Sequence, residues 1–239
     1  MQNLIDTHFH LDYYKNHREL YSQINNLKQY TICMTASPGI YSCKHLYHET
    51  QYLKFALGFH PQEMKLNDND FKDFKKLFKD AKYIGEVGLD FSPRYYINKN
   101  EQLNYFDEII RMCEKENKLV SVHLRNAYGS GIGIIKKYKP SKCIIHWYSG
   151  NEEELHDLIK LGCYFSLNEN MIRNQDKSLM LLKIPIEKIL VESDGPFSKV
   201  GSQKFKPELL INEYESIARF FDEPDLIKII YNNFLKLLL

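Results

Sequence analysis

The chain contains no apolar run near the roughly 20 residues that a helix needs to cross a bilayer, so no membrane-spanning helix is expected. Its five cysteines, Cys33, Cys43, Cys113, Cys143 and Cys163, are an odd number and include no C-x-x-C pair. That pattern argues against a disulfide framework and points to a reducing cytosol. The opening Met1-Gln2-Asn3-Leu4-Ile5-Asp6 lacks a basic stretch followed by an apolar one, so no signal peptide is expected. A soluble, cytoplasmic protein with no membrane partner is the expectation. Neither sign of charge is in excess: 32 Lys and Arg against 31 Asp and Glu leave a net charge of +1. Without a global basic field, any polyanionic partner must be held by local arginines or bound metal. No repeat, linker or low-complexity tract interrupts the 239 residues, which suit one large α/β domain over 1–239.

What is present is a set of six short stretches that end in or enclose His, Glu or Asp. They are Leu4-Ile5-Asp6-Thr7-His8-Phe9-His10, Ala56-Leu57-Gly58-Phe59-His60, Ile84-Gly85-Glu86, Val120-Ser121-Val122-His123, Ile144-Ile145-His146 and Leu190-Val191-Glu192-Ser193-Asp194. Each apolar run is too short for a helix and rich in Ile, Val and Leu, the mark of a strand buried on both faces. Strands are expected near 4–9, 30–35, 53–59, 82–87, 119–123, 142–146, 163–167 and 188–192. Helices are expected near 17–27, 43–50, 70–80, 99–117, 129–138, 151–161 and 175–183, with two more from Pro207 to Leu239. The clearest helix is 99–117, where Leu103, Phe106, Ile109, Ile110 and Cys113 recur at helical spacing. Eight alternations predict a (β/α)8 TIM barrel with extra C-terminal helices. An open doubly wound sheet would gather its site at one switch point, whereas here site-like residues follow six strands.

His8 and His10 are two apart on a strand and share a face, so the pair can grip one metal. Taken alone, such a pair is as well read as hydrogen-bonded core histidines. Glu86 lies inside an apolar run, where a carboxylate needs a partner, and its two oxygens could bridge two metals. His123 and His146 each close a strand; each alone suits a structural role, but with Glu86 they complete a second metal position open to water. Asp194, in the turn before Gly195-Pro196, reads as turn chemistry or as a metal ligand and base toward water. Glu192 is expected on the same strand face as Asp194. His60 and Arg125 are the expected holders of a substrate oxygen, with Arg94 and Arg173 weaker candidates. His17, His45, His48 and His156 read as surface residues.

These residues carry a family likeness. The chain resembles the TatD-like metal-dependent deoxyribonucleases, a (β/α)8 branch of the amidohydrolase superfamily. The motifs are D-T-H-F-H-L-D at 6–12, G-F-H-P at 58–61, G-E-V-G-L-D at 85–90, H-L-R at 123–125, H-W-Y-S-G at 146–150 and E-S-D-G-P at 192–196. The resemblance implies one metal on His8, His10, Glu86 and Asp194 and a second on Glu86, His123 and His146, with His60 near the scissile phosphate and Glu192 behind the ligands. It implies two divalent ions (Mg2+, Mn2+ or Zn2+), DNA as partner, and 3′→5′ trimming of single-stranded ends. The chain departs from the family in being short and in carrying Phe91-Ser92-Pro93-Arg94 after G-L-D. With H-W-Y-S-G and S-D-G-P-F, these features look most like the TatD-like nuclease of bacterial Qat-type anti-phage systems, which implies antiviral defence and protein partners from a defence operon.

The chemistry expected is two-metal hydrolysis of a phosphodiester, with Asp194, Glu86 and His60 catalytic. His8, His10, His123 and His146 must be neutral to bind metal, so activity should fall below about pH 6. One rival is hydrolysis of a C–N bond in a small cyclic amide; many such barrels place a carbamylated Lys where this chain has Glu86. The other is a non-catalytic barrel subunit of a defence complex, which would not need an intact set of inward metal-binding groups.

Overall fold

The computed structural model describes residues 3–43, 47–63 and 67–239, with the backbone alone at 175–177. Among the described residues, eight strands alternate with helices. The strands are β1 (Ile5–Phe9), β2 (Tyr30–Cys33), β3 (Leu53–Phe59), β4 (Tyr83–Asp90), β5 (Leu119–Arg125), β6 (Cys143–His146), β7 (Tyr164–Leu167) and β8 (Ile189–Val191). The helices between them are α1 (His17–Leu27), α2 (Pro38–Ser42), α3 (Asp68–Phe78), α4 (Lys99–Lys115), α5 (Tyr128–Tyr138), α6 (Glu152–Lys160), α7 (Glu169–Arg173) and α8 (Gln175–Leu181). Two further helices, α9 (Leu210–Phe221) and α10 (Leu226–Leu238), end the chain as expected. No helix among the described residues is long and apolar enough to cross a membrane.

The main misplaced element is the helix expected near 43–50. The helix there is α2, five residues earlier, because Ser37 caps Ile40 and Pro38 supplies the pre-set first position; residues 47–50 are not helical and 44–46, with His45, lie outside the described residues. A small hairpin, β9 (Lys199–Val200) with β10 (Gln203–Lys204), was not expected. Helix α6 starts as its sequence says, with a reciprocal cap between Asn151 and Glu154. All five cysteines are free.

The chain forms two compact units. The first is Met1–Cys33, His48–Lys54 and Phe165–Leu239. In it β1 pairs in parallel with β2, and β7 with β8. The strand β1 meets the segment after β8 through Asp194 N to His8 O (2.8 Å) and His10 N to Gly195 O (3.0 Å). Helices α9 and α10 are tied to these strands by buried polar contacts. The Tyr214 hydroxyl bonds both backbone groups of Ile5, and Asn233 donates to Ile186 O and Ile189 O. Around them Phe9, Ile24, Leu190, Val191, Leu210, Ile217 and Ile230 are almost wholly buried, each worth about 1.5–3 kcal/mol of removed apolar surface.

The second unit is Met34–Tyr47 and Phe55–Tyr164. Its strands β3, β4, β5 and β6 pair in parallel in that order. Leu57, Ile84, Val87, Val120, Val122, Ile144 and Ile145 are fully buried, as uninterrupted apolar strands require. Rings of Phe59, Phe71, Phe74 and Tyr105 pack edge-on or tilted, holding α3 and α4 against β3.

Two strands carry an extra residue. Between Asp6 and Phe9, β1 advances three residues while β2 advances two, from Thr31 to Cys33. Between Ile84 and Val87, β4 likewise gains one residue on both β3 and β5. An inserted residue bends a strand and re-aims its side chains. The insertions fall within Thr7–His8 and Gly85–Glu86.

Candidate metal centres

In the first unit His8, His10 and Asp194 converge, all buried. His8 Nε2 lies 3.1 Å from His10 Nε2, and Asp194 Oδ1 is 3.6 Å from the first and 3.4 Å from the second. Contrary to expectation, β8 ends at Val191, before both Glu192 and Asp194. Asp194 is turned by a left-handed backbone (φ 47°), which sends it to the histidines. Glu192 instead accepts hydrogen bonds from Ser166 and from Asn168 Nδ2 (3.0 Å) and is fully buried.

Asp6, which the sequence left without a role, fastens the two ligand-bearing segments. Its carboxylate accepts from His8 N (3.2 Å), Ser193 N (2.9 Å) and Ser193 Oγ (2.6 Å). Burial pushes its pKa up to about 7, while the Ser193 bonds work downward. Nothing near Asp6 in the sequence marks its partner, because Ser193 lies 187 residues further on.

In the second unit three imidazoles surround one carboxylate oxygen. Glu86 Oε1 lies 2.8 Å from His123 Nδ1, 3.0 Å from His146 Nε2 and 3.1 Å from His60 Nε2. Glu86 and His123 do not close their strands, as expected of them, but sit inside β4 and β5, because both strands run on to Asp90 and Arg125. Close strand approach is needed here. A Cβ on Gly58 would fall 1.5 Å from Thr35 O, and one on Gly88 (φ +149°) 1.9 Å from His123 O.

His60 differs from the other two histidines. Its Nδ1 accepts the Gln62 amide proton (3.1 Å), so in the neutral ring the proton is on Nε2 and is donated to Glu86. Asp90, another residue the sequence did not single out, is fully buried with Oδ2 3.5 Å from His123 Nε2. Burial pushes its carboxyl upward, but donors on His123, Ser92 and Gln62 outweigh that and hold it well below the usual range. For His123 burial works downward, and Asp90 and Glu86 together outweigh it and raise the imidazole. A cavity of about 340 Å³ opens beside His60, with Glu63, Asp68, Glu101 and Tyr105 in its wall and no Lys or Arg among its lining residues.

The two arginines expected at the substrate are exposed. Arg125 ends β5, and Arg94 lies over the Tyr95 ring at 5.5 Å. Arg173 pairs with Glu169 and donates to Gly201 O (3.0 Å), a pin within the first unit. His48 and His156 are exposed and His17 is half-buried.

Both clusters fit divalent cations. Imidazole nitrogens and a carboxylate oxygen within 4.8 Å of one another are a ligand set of borderline hardness, suited to Zn2+ or Mn2+. A carboxylate oxygen ringed by three imidazoles has more neighbours than lone pairs, and a cation among them resolves the crowding.

Residues 5–239 match the model of the family described as "TatD related DNase". A metal-dependent hydrolase of Buchnera aphidicola subsp. Acyrthosiphon pisum is 30% identical, the match covering 97% of each chain. The deoxyribonuclease Tat-D of Schizosaccharomyces pombe is 25% identical over 74% of this chain and 57% of its own length. Among solved structures, the TatD homologue YJJV of Escherichia coli superposes with a TM-score of 0.85 at 20% identity, covering 98% of this chain and 97% of its own. That likeness carries the expected fold, a (β/α)8 barrel.

Proposed function

Since the chain belongs to the TatD family of metal-dependent hydrolases, which act on ester bonds, we propose that it is a deoxyribonuclease cutting DNA phosphodiester bonds. The observation that carries the reading is the pairing of each candidate centre with a carboxylate inside an imidazole cage. Relatives that bear the name deoxyribonuclease support DNA as the substrate. His8, His10 and Asp194 would hold one divalent ion, and Glu86, His123 and His146 another, within one hydrolase domain over residues 1–239. Bound there, Mg2+, Mn2+ or Zn2+ would supply Lewis-acid activation of water and phosphate near neutral pH.

The chain's own groups do the rest. Asp194 takes the proton of the attacking water, its carboxylate aimed by the left-handed turn. His60, whose Nε2 proton is fixed by the Gln62 contact and faces Glu86 in the metal-free site, would donate to a non-bridging phosphate oxygen once Glu86 is engaged by the ion, while Arg125 and Arg94 neutralise the phosphate from the exposed side. Glu192, locked by Ser166 and Asn168, holds its part of the first unit in place. Trimming from the 3′ end of single strands and a cytoplasmic role in anti-phage defence, with partners from a defence operon, complete the proposal; the Qat-like H-W-Y-S-G and S-D-G-P-F motifs support that last part.

The test is cleavage of end-labelled single-stranded DNA with Mn2+ or with EDTA, beside a dihydropyrimidine substrate. Metal-dependent DNA products and an untouched cyclic amide are expected. The reverse pattern would make the protein an amidohydrolase.

A further inference from the structure

Two aromatic side chains stand in solvent beside the first-unit centre. Tyr13 is 48% exposed and Phe197 is 54% exposed. Their ring centroids are 5.0 Å apart at 69°. Both rings also meet His10 edge-on, Tyr13 at 5.5 Å and Phe197 at 5.4 Å. They arrive from opposite ends of the unit's sequence. Tyr13 belongs to the short turn that leaves β1, three residues after His10, and Phe197 lies three residues after Asp194. His10 and Asp194 thus each carry an aromatic ring on the segment that follows them.

Both segments are held from beneath while the rings face outward. Leu11 is buried, and the Tyr14 hydroxyl donates to Phe205 O (3.0 Å) while its ring stacks on Phe9 at 5.3 Å. The Phe197 amide donates to Asp194 O (2.8 Å), and the next side chain, Ser198, is fully buried. The rings are therefore presented on fixed backbone. Large apolar faces left in water cost stability unless something covers them, and their clustering in one place is informative where single exposed rings are not.

We propose that Tyr13 and Phe197, whose planes cross at 69°, form a stacking platform for one unpaired nucleobase, flat on one ring and edge-on to the other, next to the phosphate that the first-unit centre would hold. This rests on the nuclease reading above. The position selects the occupant: a ligand that reaches the rings and His10 together needs a flat apolar group one link away from a metal-binding anion. A nucleotide within a single strand has that form. The patch is two side chains wide, the scale of one base rather than of a protein interface. Stacking on an aromatic face tolerates any base, so the platform would orient the strand without reading its sequence. A base within a duplex already has its faces covered and its edge paired, so the platform favours ends that are unpaired or frayed.

The experiment compares the parent with Tyr13→Ala, Phe197→Ala, the double variant and Phe197→Trp, which keeps an aromatic face. With Mn2+ and single-stranded DNA, KM should rise about 10-fold in each single variant and further in the double, with kcat within about 3-fold. Phe197→Trp should restore the parental KM. An oligonucleotide abasic at the stacked nucleotide should be a poor substrate for the parent and equally poor for the double variant. A second readout needs no turnover: with Mn2+ present, 2-aminopurine at that nucleotide should be quenched in the first, pre-cleavage phase of stopped-flow mixing with the parent and not with the double variant. An unchanged KM in the double variant would overturn the proposal, as would equal losses on normal and abasic strands. Loss of bound metal that Phe197→Trp does not restore would assign the rings to bracing His10 and overturn it too. A parent that cuts no DNA strikes the nuclease reading itself, whereas cleavage indifferent to the rings strikes only the platform.

Discussion

The two candidate centres use one backbone device in opposite surroundings. In each unit an extra residue in a strand, within Thr7–His8 of β1 and within Gly85–Glu86 of β4, breaks the simple alternation beside a ligand. Beyond that they diverge. The first-unit ligands are all buried, and the acids around them are crowded: Asp6 is raised to about 7 and Glu213 well above the usual range, both chiefly by burial. In the second unit His60 and His123 are partly exposed, and the supporting acid Asp90 is held low by donors on His123, Ser92 and Gln62. A strand bulge aims a ligand, and the polar groups behind it decide its protonation. The first unit stores buried acid that favours its neutral form, and the second keeps a carboxylate charged against an imidazole.

The difference can be broken most sharply at Glu86. Glu86→Ala removes the oxygen that three imidazoles share, so DNA cleavage should fall at least 1,000-fold with the circular dichroism unchanged. Parental cleavage by that variant would end the metal role given to Glu86. In the first unit, Asp194→Asn keeps the shape and removes the base. A loss of about 100- to 10,000-fold in kcat is expected, and a drop confined to KM would deny Asp194 the proton.

The supporting acid gives a smaller and more diagnostic effect. Asp90→Asn should weaken divalent-ion binding about 10- to 100-fold, the scale of lost ligand support. It should also shift the pH dependence. His123 has a raised pKa in the metal-free protein, so protons compete with the ion as pH falls through that value. Removing the Asp90 charge lowers the His123 pKa and moves the midpoint of ion binding to lower pH. A midpoint that stays in place, read by ion titration from pH 5 to 8, would detach Asp90 from His123.

The smallest effect lies in the buried acids of the first unit. Glu213 accepts the Glu169 amide (2.8 Å) with one oxygen, and its other oxygen is buried without a hydrogen bond. Its folded pKa is raised by burial first and then by the charges of Asp6, Glu192 and Glu169. A raised carboxyl contributes stability below its unfolded pKa and loses it as pH rises through the folded value. Glu213→Gln keeps the accepting oxygen and cannot ionise, so its Tm should gain on the parent as pH rises from the ordinary carboxylate range toward the raised folded value. A Tm difference independent of pH would show that folding does not raise the Glu213 pKa.

Much of this was legible in the sequence. The eight strands announced themselves as Ile-, Val- and Leu-rich runs because strands buried on both faces need no alternation. Helix α4 showed its face through Phe106, Ile109, Ile110 and Cys113, and α6 through Asn151 and Glu154. His8, His10 and Asp194 lie together, and so do Glu86, His123 and His146. What stayed hidden has physical causes. A bulge adds a residue without changing composition, so Glu86 read as a strand end although β4 continues to Asp90. Helix α2 was set by Ser37 and Pro38, a local cap too short to leave a periodic signature. Asp6 and Asp90 act through partners far along the chain, Ser193 and His123, and spacing carries no trace of such pairs. Tyr13 and Phe197 were lost among many aromatic residues, most of them core.

The most direct measurement is elemental analysis of the purified parent, His10→Ala and Glu86→Ala, with single-stranded DNA cleavage assayed on the same samples. The account predicts a stoichiometric divalent metal in the parent, reduced content in each variant, and cleavage that EDTA abolishes and Mn2+ restores. Cleavage that persists in EDTA with no metal bound would contradict it.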